Sequence, residues 1–379
     1  YSALSTPLEI ESSSFSYTAI YNKNLAPNKP IRIINSNIYY SRFLSDCRGE
    51  CIYVSNCTLK HSAIDYNSGD YANGFILSNS KATNITAVSS DSRWNNQYIV
   101  LVIKTSIIND FIIASSYGFN DPTSHIRFED STISNVSTAI DDMLYTSLGL
   151  RCSLIIRRCK VTQGNLVFDN SHDTPRVSII SSTLKKVSFS PSATYTPQYN
   201  VYASIYMRNT SFVEGSLNLP YYYTDIAYSD ITLTSSLIVG GSSIISCSSI
   251  GRHNSVPQAS TVGIIALGLT MTNSTIKNFD TAIRASPPLR NTVTISNTNF
   301  RGNSLYNIEN KGAFNITATG NYWGTNNNGV IVNKIFDYWD NINYGDVLYT
   351  GYASSLLPAE AGCPAYIEEE EVGQTTMGL

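Results

Sequence analysis

One repeat constrains the fold of this chain more than any other feature. A small residue recurs at Ser36, Cys57, Ser80, Thr105, Ser131, Cys159, Ser182, Thr210, Ser236, Ser274 and Thr298. Two residues after each stands an apolar residue, such as Ile38, Leu59 or Phe300. Apolar residues also stand three and five before, as Ile33 and Ile31 do ahead of Ser36. Positions −5 and −3 alternate like a strand with one buried face, and positions 0 and +2 alternate in the same way. Between −3 and 0 the phase slips by one residue, so the strand must bend. Each unit is therefore two short strands meeting at a corner. A period near 25 residues with such corners is one coil of a parallel β-solenoid, in which no coil buries its inner face alone. Helical periodicity is absent across 31–320, and 314–323 reads as a twelfth unit slipped by one residue.

The pattern apolar-x-apolar-x-x-small-x-apolar resembles the repeat of the right-handed, pectate-lyase-like parallel β-helix superfamily. The segments TISNVSTAI (132–140) and TIKNFDTAI (275–283) match beyond the template. GNYWGT (320–325), followed by residues 331–349, resembles an ending common in β-helix surface and cell-wall proteins. The resemblance implies an all-β, right-handed parallel β-helix (solenoid) of about 12 coils with capped ends, a rod of about 58 Å. It implies little about function, because the superfamily holds lyases, hydrolases, adhesins and structural proteins. Residues 1–30 are expected to form an N-terminal cap, and 31–325 the β-helix. An excursion at 241–262 is the best candidate for a functional loop. Residues 326–356 are expected to cap the C-terminal end. Residues 357–379 carry four consecutive Glu, as in a solvated acidic tail.

Composition narrows the classes. At 42% hydrophobic the chain can bury a core, which excludes disorder for most of its 379 residues. Charged residues make up only 14%, against roughly 25% in typical soluble domains. Ser, Thr, Asn and 26 Tyr fill the gap, as in extracellular β proteins. Net charge is −3 with no basic patch, so nucleic acid is not an expected partner. No apolar run is long enough to span a membrane. The chain opens on Tyr1 rather than Met, as a processed form would.

The search for chemistry returns little. Asp141 and Asp142 are adjacent, as in inverting hydrolases of the fold, but the other elements of that set are missing. Arg284 and Arg290 resemble the Arg-x-Pro-x-x-Arg element of pectate lyases at a spacing one residue too long. His61, His125, His172 and His253 stand apart, without metal-ligand spacing. No catalytic residue, metal or cofactor is assigned. Exposed aromatics, Tyr221–Tyr223 among them, suit sugar stacking and protein contacts equally.

Six acceptor sequons occur, at Asn56, Asn84, Asn135, Asn209, Asn273 and Asn315. Asn56, Asn209 and Asn273 occupy position −1, the outer side of the corner, where a glycan fits. Asn209 and Asn273 rank first. Asn84 and Asn135 share position +4 with Asn109 and Asn278, which suggests an Asn ladder at stacked turns. Asn315 precedes the final coil. Of seven Cys, Cys57 and Cys159 sit in the inward small column as buried thiols. Cys47 and Cys51 are four apart and positioned to pair. Cys363 is the candidate for an intermolecular bridge. The resulting expectation is a non-catalytic extracellular structural protein. It would be a glycosylated subunit assembling head to tail with itself into a fibre, wall or surface appendage. The alternatives are a glycan-binding adhesin and a polysaccharide lyase or hydrolase.

Overall fold

The computed structural model describes residues 8–22, 30–45, 49–66, 73–89, 99–115, 125–138, 153–168, 176–191, 204–220, 222–240, 242–287, 292–358 and 362–368. The chain is a parallel β-solenoid. One face is a 15-stranded sheet running from Leu8–Glu11 to Val347–Leu348, with every described pairing parallel. Two further faces follow in each coil. Asn37–Tyr39 pairs with Thr58–Tyr66 on the second, and Arg42–Ser45 pairs with the same strand on the third. Asn328–Val332, capped by the Asn327 side chain, is the one α-helix among the described residues.

The corners explain the phase slip. At position −1 a residue adopts the left-handed conformation in coil after coil, as at Asn35 (φ 54°), Asn56 (56°), Asp130 (48°), Asn209 (48°) and Asn273 (48°). A second left-handed column lies at +4 and includes Tyr17, Tyr40, His61, Asn84, Asp110, Glu214 and Asn278. Asn and Asp tolerate this region better than most residues, which accounts for their enrichment there.

Inside the first corner the small column is a hydrogen-bond ladder. The Ser106 amide donates to Ser131 Oγ at 3.1 Å, and Ser131 Oγ donates to Glu129 O at 2.6 Å. The same two bonds recur at Ser80, Ser229 and Ser248. A small hydroxyl is needed because it satisfies the amide of one coil and a carbonyl of its own within a dry corner. Cys57 accepts from Ser36 in the same role. Beside the ladder a single continuous core stacks Ile, Leu, Val and Phe from end to end.

Several expectations need correction. The Thr105 unit is out by one residue. Leu101 and Ile103 pair with Phe75 and Leu77, Ser106 takes the small column, Thr105 is the corner (φ 47°), and Ile107 is exposed. Ser236 is not a column residue; Ser229 and Ser248 are. The excursion at 241–262 therefore contains a coil, with strands Ser243–Ser246 and Ser249–Arg252, and only 253–261 loops outward. The described part of the expected N-terminal cap, 8–22, is a coil: Leu8–Glu11, Ser14–Ser16 and Ala19–Asn22 pair with the three faces of the next one. The last small position is Asn321, whose side chain accepts from Thr298 N at 2.8 Å, so the twelfth unit is not slipped. Asp110 stands in the +4 column in place of Asn109.

Candidate functional site

The outward face of the long sheet changes character along the rod. Outward positions of its last strands form a hydroxyl array: Thr270 and Thr272 pair with Thr294 and Ser296, which pair with Thr317 and Thr319. Towards the middle, outward positions of Arg176–Ile180, Ser204–Arg208 and Tyr223–Ala227 place five side chains together. The Arg176 guanidinium lies 5.8 Å from the Tyr206 ring centroid, and Tyr206 and Tyr223 rings are 6.0 Å apart at 55°. Arg208 pairs with Asp225 and also donates to the Asp225 carbonyl at 3.0 Å. Burial first, then the Asp225 carboxylate, push the Tyr223 phenol up. The platform combines two ring surfaces, an exposed guanidinium and a fixed ion pair. Such a set stacks on sugar rings and hydrogen-bonds their hydroxyls and carboxylates.

Next to this platform, charge is paired rather than open. Glu129 is committed to Arg127 and Lys104. Arg158 holds Asp130 in two hydrogen bonds, and these hold the Asp130 carboxyl below its ordinary range. Among the described residues no group of three His, Cys, Asp or Glu is arranged to hold a metal ion.

The C-terminal segment runs back over this region as a strap along the first corner. Ala353 N donates to Asn321 O at 2.9 Å, and Leu357 exchanges two bonds of 3.0 Å with the Asn299 side chain. Asn273 Nδ2 donates to Gly362 O at 3.2 Å. Cys363 forms a disulfide with Cys247, Tyr366 packs on Tyr228, and Glu368 ends on Arg157 (2.7 Å) and Arg158 (3.2 Å). Two expectations fall here. The tail is not free over 362–368, where Cys363, Tyr366 and Glu368 are held on the rod while Gly362, Pro364, Ala365 and Ile367 stay exposed, and Cys363 is bridged within its own chain. The corner supplies the reason: Cys247 stands in the left-handed column, facing out where the strap passes.

The structure also locates the remaining candidates. Asn56, Asn84, Asn209 and Asn315 are exposed and Asn135 is half-buried. Asn209 Nδ2 donates to Ser181 Oγ at 3.2 Å. Asn273 is less open than its sequence position implies, because the strap lies on its amide nitrogen, the atom a glycan would occupy. Asn135 donates to Asp110 at 3.1 Å and Asn84 contacts the His61 ring at 3.0 Å, a mixed ladder in place of an all-Asn one. Arg284 is tied to Glu309. Cys47, Asp141, Asp142, His172, Tyr221 and Arg290 lie outside the described residues, as does the side chain of Cys51, so a Cys47–Cys51 bridge does too. Buried thiols occur at Cys57 and Cys159. Sequence reasoning missed the Tyr206 platform, whose residues occupy the outward positions between apolar columns.

No helix among the described residues is long and apolar enough to cross a membrane. No family model and no curated protein matches the chain. Among solved structures, the catalytic unit of the thermostable GH87 alpha-1,3-glucanase from Streptomyces thermodiastaticus strain HF3-3 is similar at a TM-score of 0.36 and 10% identity. That likeness covers 92% of this chain, which spans 63% of the glucanase structure. At that level it carries no assignment of activity.

Proposed function

We propose that this solenoid is an extracellular protein that binds polysaccharide along the outward face of its long sheet. The observation that carries the reading is the Arg176–Tyr206–Tyr223–Arg208–Asp225 platform, set on three consecutive strands and continued by the Thr and Ser array. A sheet whose rungs repeat every 4.8 Å or so offers an extended polymer a periodic, rigid bed. Rigidity lowers the ordering cost of binding. The Cys247–Cys363 disulfide fits an oxidising compartment.

A glycan array, followed by calorimetry on the hits, tests this. Tyr206→Ala should weaken binding of a hit polysaccharide by about tenfold, the loss of one stacking contact. An array without hits, or an affinity that ignores Tyr206→Ala, overturns the reading. Reducing-end and unsaturated-uronide assays on the same hits separate binding from cleavage.

The strap favours a second reading, a durable structural subunit. It ties distant coils of the rod together through one covalent bond and several polar ones. Electron microscopy of the protein from its native source would show filaments if the subunit assembles with itself.

A further inference from the structure

We propose that Ser255, His253 and Glu214 form a nucleophilic relay that hydrolyses short-chain carboxylic esters. Each residue comes from a different local device. Glu214 is the extra residue of a β-bulge: pairing of Ser211–Leu219 with Asp230–Leu233 shifts between Val213 and Gly215. Its backbone is left-handed (φ 57°) and its side chain is thrown outward. Bulges re-aim side chains in this way, often beside active sites. His253 follows the strand Ser249–Arg252, two coils further along. Its amide donates to Leu233 O at 2.8 Å, which fixes its backbone over the coil in between. Ser255 stands exposed in the loop 253–261.

The geometry is that of an activated nucleophile. His253 Nδ1 lies 2.7 Å from Ser255 Oγ, and His253 Nε2 lies 3.2 Å from Glu214 Oε1. The tautomer follows from a third contact. The Ser255 backbone N–H also points at Nδ1, at 3.3 Å, and an N–H can only donate. Nδ1 is therefore the bare nitrogen and accepts from the Ser255 hydroxyl. The ring proton sits on Nε2, which donates to Glu214. A hydroxyl, a base and an orienting carboxylate stand in sequence, the arrangement that activates serine nucleophiles. The two ring nitrogens are exchanged relative to the chymotrypsin order, which leaves the proton path intact.

In the reaction, Ser255 Oγ bonds to the ester carbonyl carbon while its proton passes to His253 Nδ1. The tetrahedral adduct collapses, the bond to the alcohol oxygen breaks, and that oxygen takes the proton from Nδ1. Water then repeats the steps on the acyl-serine, releases the carboxylic acid and restores the hydroxyl. The sequence is redox-neutral and needs no co-reactant besides water. An exposed loop nucleophile suits a short acyl group, such as acetyl, carried on a large molecule. Lys185 and Lys186, 3.5 and 3.8 Å from the Glu214 carboxylate and largely exposed, favour an anionic carrier.

The test uses the full chain, p-nitrophenyl acetate and a fluorophosphonate probe. One adduct should form, mapped to Ser255, and Ser255→Ala should reduce hydrolysis to the buffer background with an unchanged melting curve. Glu214 is a positioning residue. Glu214→Gln should lower kcat by at least about tenfold with KM little changed. An unlabelled Ser255, or hydrolysis that survives Ser255→Ala, overturns the proposal. The relay sits at the second corner and not on the Tyr206 face, so either outcome leaves polysaccharide binding to be judged on its own.

Discussion

Cys247 and Cys363 are joined by a disulfide across 116 residues of sequence. In the chain-entropy account a closed loop of that size is worth about 4–5 kcal/mol, by restricting the unfolded chain. Reduction, or Cys363→Ser, should therefore lower the unfolding midpoint. It should also loosen the strap first, because the remaining contacts of 362–368 are one hydrogen bond from Asn273, a ring pair and the part-exposed Glu368 ion pairs. Limited proteolysis checks this: the strap at 362–368 should lose protection from cleavage while the strands that hold Ile245 and Ile295 keep theirs. Unchanged protection in the strap would sink the idea.

The strap end should also respond to acid. Arg157 is the main cause holding the Glu368 carboxyl below its ordinary range. A carboxyl lowered in the folded state stabilises the contact above its unfolded value, and the contribution disappears as pH falls through the folded one. The ring NMR signals of Tyr366, which packs on Tyr228, should stay constant from neutral pH down through the ordinary carboxylate range and shift only below it. Arg157→Ala should show the shifted signals already at neutral pH.

The two buried thiols should be inert in the native protein. Burial is the main cause pushing the Cys159 thiol up to about 11, and it pushes Cys57 up as well. Both remain protonated at pH 8, and the thiolate is the reactive form. Iodoacetamide should label neither until denaturant is added. Rapid native labelling of either position would contradict the ladder geometry.

Breaking the ladder should cost more than a surface hydroxyl would. Ser131→Ala removes the acceptor of the Ser106 amide and leaves that buried donor unpaired. The expected loss is about 1–3 kcal/mol by denaturant titration. Ser131→Cys should lose less, since Cys57 and Cys159 already fill equivalent positions.

Gly215→Ala tests the bulge. A Cβ there would collide with the Phe212 ring and with Val187 O. The carbonyl belongs to a paired strand and cannot retreat, so a loss of about 1–3 kcal/mol from overpacking is expected. Hydrolysis dependent on Ser255 should fall with it, as Glu214 loses its direction.

The solenoid was legible because inward positions repeat with one chemistry. It failed where that chemistry changes. Thr224 and Ser243 occupy buried −5 positions that elsewhere are apolar, with the Thr224 amide donating to Ser243 Oγ at 3.3 Å, so two coils escaped the template. At Thr105–Ser106 both registers satisfy the pattern, because residues 99–103 and 107–108 are all apolar. Only pairing with Phe75 and Leu77 decides between them. The sites were less legible. Tyr206 and Tyr223 occupy outward positions that carry no periodic signal. Glu214 reaches His253 through a bulge that exists only once coils stack. Cys363, Tyr366 and Glu368 find partners over a hundred residues away, beyond any local pattern.

The strap also acts as a gauge. Its residues meet Asn321, Asn299, Asn273, Cys247, Tyr228 and Arg157 in reverse order, one landmark after another. Solenoids lengthen readily by duplicating a coil, since each unit needs only its neighbours. Here a duplication between Arg157 and Cys247 would move those two landmarks apart while the segment from Cys363 to Glu368 stayed the same length. Glu368 and Cys363 could not both reach their seats. The coils ahead of Arg157 are under no such count, so the strap leaves the N-terminal part of the rod free to lengthen or shorten.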